Sequence, residues 1–228
     1  MDARNTWVPS RDLLDDASIS PALADRILRS CWVRDIPARS PLYQVDDYPG
    51  GMWCLAEGAL SVELAPGVRD PQMSYLLLPP AWVGEGTIVD RTSSRLVGLS
   101  TTRRSTLLLL PLNNFFHISQ DEPQIWRWLA RVQKLNFERA IGMVDALMVR
   151  RSKARVVAVL TQLGGRLGHH TNAPRTLDIT QDQLAGIANM SRSVLSPILN
   201  TLASTGAIKL GHSTITIADP AALGGLSK

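Results

Sequence analysis

Arg192, Ser193 and Ser196 stand together in the stretch ITQDQLAGIANMSRSVLSPILNTLASTGAIKLGHSTITI, residues 179–217. A guanidinium and two hydroxyls at the start of a helix are groups that read double-stranded DNA. Arginine pairs with guanine or grips a phosphate, and hydroxyls bond to base edges. That chemistry needs a helix whose N-terminal side chains enter a major groove about 12 Å wide. Thr180 and Gln181 open a preceding helix whose free N–H groups can receive a backbone phosphate. Lys209 and His212, further along, offer phosphate contacts from a hairpin.

The elements that must carry these residues are well signalled. Thr180 with Gln183 three positions later forms a capping box, and Leu184, Ile187 and Ala188 give the first helix its apolar face. Asn189 stands where the chain must turn sharply, and asparagine tolerates a left-handed backbone. Ser191 is the expected N-cap of a second helix with Val194, Leu195, Ile198, Leu199 and Leu202 as its buried stripe. Small Ala185 lets the two helices cross closely. Two β runs around Gly211-His212-Ser213 then complete a winged helix-turn-helix. Pro197 is the discordant residue, because proline inside a helix removes a hydrogen bond and can bend it.

Charge agrees with this placement. Residues 1–149 hold 15 basic and 17 acidic side chains, whereas residues 150–228 hold 9 basic and 3 acidic, so the C-terminal third carries a net +6. A basic small domain is the electrostatic footprint of a polyanion binder. Other chemistries lack their groups. The four histidines (His117, His169, His170, His212) occur with no nucleophile, metalloprotease or P-loop pattern, so no enzyme is expected. His169-His170 reads as a solvated loop between helices. Cys31 and Cys54, 23 positions apart, read as ordinary buried thiols and no metal site is expected. No apolar run approaches the roughly 18 residues of a membrane span, and the first residues lack a secretory signal core. No membrane partner is expected, and the chain is expected in the cytosol.

Upstream, residues 36–111 alternate short β-type runs (MWCLAEGALSVELAP, MSYLLLPPAWVGEG, RLVGLSTTRRSTLLLLP) with Pro and Gly, which predicts a small antiparallel barrel or roll. Beyond Asp121-Glu122-Pro123 the pattern changes. Ile125, Trp128, Leu129, Val132 and Leu135 recur at helical spacing, and the acids and proline suit a helix start, so a helix to about Met148 is predicted. At some 25 residues it would be about 37 Å long. Met143 and Ala146 continue its seam. Either the seam pairs with a second copy as a short coiled coil, making a dimer, or this is an ordinary core helix.

A β-roll, a long central helix and a C-terminal winged helix-turn-helix resemble the Crp/Fnr family of bacterial transcription regulators from about residue 20 onward. WCLAEGALSVEL is similar to the family's β-roll segment, and PPAWVGEGTIVDRTSSRLVGLS is similar to its phosphate-binding cassette. The resemblance implies an effector site at Gly84, Glu85 and Arg95, where the Glu would accept from a ribose hydroxyl and the Arg would neutralise a cyclic phosphate. The alternative reading of Glu85 and Arg95 is a residual ion pair inside an inherited fold.

The cassette departs from the family pattern. Leu96 stands at the hydroxyl position after the Arg, Val97 at the following small residue and Gly86 at the usual Leu. Ala140 and Ile141 fall where cyclic-AMP-responsive members carry adenine-binding hydroxyls. Each unpaired polar ligand group costs about 1 to 3 kcal/mol, so cyclic AMP is disfavoured. Another nucleotide base or second messenger stays open. An iron–sulfur cluster needs four thiolates and there are two cysteines. A haem would have to draw on Cys54, with His117 placed after the roll. Trp53, Trp82 and Trp126 would line a pocket for an apolar or aromatic metabolite, or serve as core. In the reading helix only Ser191 and Arg192 match the family's residues directly, with Ser193 and Pro197 replacing a Glu and an Arg.

The sequence therefore predicts an α+β chain: an effector β-roll with N-terminal helices over residues 1–121, a central dimerisation helix over 122–149 and a winged helix-turn-helix over 150–228. The expected function is sequence-specific DNA binding in transcription regulation, with a degraded cyclic-nucleotide site and no certain cofactor. Expected partners are double-stranded DNA, a second copy through the central helix and, by the resemblance, RNA polymerase. The alternative is a ligand-binding or interaction scaffold that has lost operator recognition.

Overall fold

The computed structural model describes residues 9–14, 19–48, 50–64, 72–90, 94–165 and 173–226. His169 and His170 lie outside the described residues. Helix α1 (Pro21–Arg29) starts at Ser20, whose hydroxyl accepts from Leu23 N at 3.1 Å, with Pro21 in the first turn where its missing N–H costs nothing. It buries Leu23, Ala24, Ile27 and Leu28.

Two antiparallel sheets follow. One holds β1 (Trp32–Ile36), β8 (Ser105–Pro111), β3 (Gly51–Glu57) and β6 (Ala81–Val83) in that spatial order. The other orders β2 (Pro41–Tyr43), β7 (Gly98–Thr101), β4 (Leu60–Leu64) and β5 (Gln72–Leu77). Leu55, Leu60, Leu99 and Leu107 fill the space between them, as alternation in half-buried strands requires. The predicted roll is thus present, beginning at Trp32 rather than Ile36.

A short helix α2 (Gly86–Val89) interrupts the roll, and α3 (Leu112–Asp121) leaves it. Helix α4 (Gln124–Met148) is 25 residues long. Its first half buries Ile125, Trp128, Leu129 and Val132 against α1, α3 and the roll. Its second half turns Met143 and Ala146 into a different core, shared with the C-terminal domain. Gly142 allows this, since a Cβ there would stand 2.6 Å from Gln162 Oε1.

The C-terminal domain comprises α5 (Ser152–Leu163), β9 (Arg175–Leu177), α6 (Gln181–Ile187), α7 (Arg192–Ser204), β10 (Ile208–Gly211), β11 (Thr214–Ile217) and α8 (Pro220–Gly225). The wing is a three-stranded sheet in the order β10-β11-β9. Val156, Leu160, Leu184, Leu195, Leu199 and Leu202 form its centre. This domain rests on its own roll: Ala59 and Leu76 join its core, Tyr75 Oη donates to Gln162 O at 3.0 Å, and Arg103 pairs with Asp178 at 3.0 Å. Among the described residues no helix is long and apolar enough to cross a membrane.

Candidate nucleic-acid interface and effector cavity

Thr180 caps α6 as its spacing predicts. Its hydroxyl accepts from Gln183 N at 3.1 Å and Gln183 Oε1 accepts from Thr180 N at 2.9 Å. Asn189 adopts φ +50°, and Met190 N donates back to Ala185 O, closing the turn between the helices. Ser191 occupies the N-cap position of α7 with extended backbone but makes no side-chain cap; its hydroxyl lies 2.9 Å from that of Ser193. Both hydroxyls stay exposed and oriented by each other.

Arg192 is exposed and donates to Asp182 Oδ2 at 3.1 Å, which brings the first turns of α6 and α7 together. Gln181 and Ser196 are half-buried. Helix α7 runs unbroken through the exposed Pro197, in its second turn, where the missing N–H leaves the Ser193 carbonyl without its helical donor. Lys209 on β10 and His212 in the hairpin turn are exposed on the wing. The predicted buried stripe needs one correction. Leu195, Leu199 and Leu202 are buried and Ile198 partly so, but Val194 is 45% exposed, because it faces away from α6 in the first turn.

The second site is a cavity of about 810 Å³ between roll, α4 and α6, reached by Gly84, Glu85 and Arg95 alike. Gly84 takes φ +87°, and a Cβ on it would come within 2.5 Å of Arg95 Nη1. Its bareness admits the guanidinium. Arg95 is 4% exposed; Nη1 donates to Gly84 O at 3.2 Å and Thr87 Oγ1 at 3.3 Å, and Nη2 to Gly51 O at 2.7 Å. The guanidinium also lies 4.3 Å from the Tyr43 ring centre. Burial pushes its pKa down, and Arg95 Nε is buried without an acceptor.

Glu85 does not pair with Arg95. Its Oε1 accepts from Asn136 Nδ2 at 2.9 Å, while Asn136 Oδ1 accepts from Arg139 Nη1 at 2.6 Å. The ion-pair reading is thereby overturned: a neutral amide on α4 takes the carboxylate. Desolvation lowers the pKa of Arg139 as well. Asn136 and Arg139 escaped the sequence reading; their signal was two polar residues on the cavity side of a helix otherwise read for its apolar seam.

Two further expectations are corrected. Trp53, Trp82 and Trp126 are absent from the cavity wall. Trp82 stacks edge-on against Trp128 at 4.9 Å in the core and Trp126 packs on Phe115 at 5.1 Å, because the ring on β6 meets α4 and the ring on α4 meets α3. Met143 and Ala146 do not form an outward seam, being 7% and 1% exposed against the C-terminal domain. The outward stripe is Phe137, Ile141, Val144 and Met148, at intervals of four, three and four residues and half to three-quarters exposed. Cys54 is buried and Cys31 half-buried, both free thiols, with Cys31 pushed up to about 12 by burial.

Residues 154–226 match the Crp-like helix-turn-helix domain. No curated protein matches the chain. Among solved structures, FixK2 from Bradyrhizobium japonicum is similar with TM-score 0.71 at 14% identity, covering 87% of this chain and 98% of that one. The c-di-GMP-responsive global regulator CLP of Xanthomonas campestris is similar with TM-score 0.67 at 17% identity over 87% and 99%. The catabolite activator protein of Thermus thermophilus aligns with TM-score 0.51 at 21% identity over 94% and 98%.

Proposed function

We propose that this chain, which has the architecture of a Crp/Fnr-type transcription regulator and carries a Crp-like helix-turn-helix domain at residues 154–226, binds double-stranded DNA sequence-specifically as a homodimer in the cytosol. RNA polymerase is then the partner through which binding acts on transcription. The observation that carries this reading is the open first turn of α7, which presents Arg192 and Ser193 to solvent beside the capped N-terminus of α6. Arg192 and Ser193 read bases, Ser196 supports them from one turn further, and Thr180, Gln181, Lys209 and His212 hold phosphates.

The apolar stripe of α4 supports dimerisation. Four exposed apolar side chains at 4-3-4 spacing form an a/d seam that water penalises until a second helix covers it. A dimer sets two α7 helices on successive major-groove faces, as half-sites about one helical turn apart require. In this division residues 1–121 sense, 122–149 dimerise and 150–228 bind DNA. The cassette is altered for a cyclic nucleotide, since Leu96 is 85% exposed where a hydroxyl would meet phosphate and Glu85 is engaged by Asn136.

Fluorescence anisotropy of the ligand-free protein against a labelled fragment from upstream of its own gene, with scrambled competitor, tests the reading. Specific retention that Arg192→Ala removes is expected, with log K falling steeply against log salt. Equal binding to scrambled DNA, or an Arg192→Ala variant indistinguishable from wild type, overturns it.

A further inference from the structure

The outward strip of α7 carries no charge. Successive residues of a helix are turned by about 100°, so the side opposite the buried Leu195, Leu199 and Leu202 is centred on Ser193, Pro197 and Asn200, all three exposed. Arg192 and Val194 flank that strip on either side. Arg192 is the one charged residue of the whole helix.

Two apolar side chains therefore stand in water where the chain is built to meet a polyanion. Val194 is 45% exposed and Pro197, three residues on and so its neighbour on the helix surface, is exposed in the second turn. Arg192 and the capped N-terminus of α6 lie beside them, in a region (residues 150–228) that holds 9 basic and 3 acidic side chains. A phosphate gives a pyrrolidine ring no contact, and a guanine edge set against it loses hydrogen bonds. The C5-methyl of thymine is the apolar group that a base pair presents in the major groove. Burying it against Pro197 removes apolar surface of both partners from water. The ring is also fixed in place. α7 runs unbroken through it, with Thr201 Oγ1 donating to Pro197 O at 3.0 Å, and proline has no side-chain rotamer freedom to lose on contact.

We infer that Pro197, with Val194 beside it, selects a T·A base pair in each half-site by seating the thymine methyl, in place of a charged base reader at that point of the helix. The inference rests on the regulator reading and goes further by naming the base pair and the group that is read. One buried methyl corresponds to about fourfold in affinity, so two half-sites bound by a dimer give about tenfold or more.

The test is fluorescence anisotropy of the full chain with a labelled duplex from upstream of its own gene, made once with thymine and once with uracil, which lacks only the C5-methyl. Each duplex is competed with scrambled DNA of the same bases. Specific retention is expected to weaken about tenfold or more on going from thymine to uracil. Pro197→Gln restores an N–H to the helix and removes the ring, and is expected to bind the two duplexes alike, whereas any effect of uracil on DNA shape alone would persist in it. Val194→Ser is expected to narrow the ratio. The thymine–uracil comparison needs no variant, so it decides the matter even where a substitution unfolds the domain. Equal specific retention of both duplexes by the wild type, or a thymine preference that Pro197→Gln leaves intact, overturns this inference alone. Retention of neither duplex over scrambled DNA overturns the regulator reading, and this inference with it.

Discussion

Arg192, the first residue of α7, donates through Nη1 to Asp182 Oδ2 in the first turn of α6 at 3.1 Å. The pair is exposed on both sides, so it contributes little to stability. Its effect is on position: the carboxylate holds the guanidinium at the mouth of the two helices, and on the proposed reading DNA phosphate must compete for it.

Removing each partner therefore has opposite expected effects. Arg192→Ala loses a contact worth about 1 to 3 kcal/mol of base discrimination and abolishes specific retention. Asp182→Asn frees the guanidinium and removes a negative charge facing phosphate, so affinity for all DNA rises while discrimination falls. Competition anisotropy against scrambled DNA measures both.

On α4, charge placed in the outward stripe should separate copies. Phe137→Glu or Ile141→Glu is expected to raise the dimer dissociation constant by about tenfold or more, read by sedimentation velocity. Lys134→Ala, on an exposed position of the same helix, is expected to leave the association unchanged.

Gly84 makes a third test. Ala at φ +87° carries a left-handed penalty of about 1 to 2 kcal/mol, and its Cβ meets Arg95 Nη1. Gly84→Ala is expected to lower Tm by several degrees, through displacement of the guanidinium.

The fourth concerns acid. Arg26 holds Asp121 below the usual carboxylate range by a hydrogen bond and by charge, with His117 adding to the effect. A depressed folded-state pKa gives stability that is fully present above the unfolded value of about 3.9 and is lost as pH falls through the folded one. Asp121→Asn is thus expected to lower Tm at pH 7, with the gap from wild type closing as pH falls below the ordinary carboxylate range in a calorimetric pH series.

The DNA-binding half was legible because its signals are local. A capping box at Thr180 and Gln183, an Asn at a left-handed turn and two β runs around His212 each depend on residues within ten positions of one another. Helix α4 was legible for the same reason, its bounds following from Pro123 and the 3.6-residue period. Val194 failed that test since one turn of periodicity does not say which neighbour arrives.

What the sequence by itself determined, then, was the order and type of elements and the helix-turn-helix with Arg192 at the start of its second helix; that Arg95 needs a bare Gly84 came from the fold. Only the tertiary structure decided which face of α4 is spare. Met143 and Ala146 satisfy the heptad as well as Phe137 and Ile141 do, and docking of the C-terminal domain alone buries one pair and leaves the other in water. It also decided that Glu85 goes to Asn136, 51 positions away, and Arg95 to backbone carbonyls. Charge alone would have paired them; in a desolvated wall the partner is whichever group the fold brings within reach, and that distance is not written in sequence spacing.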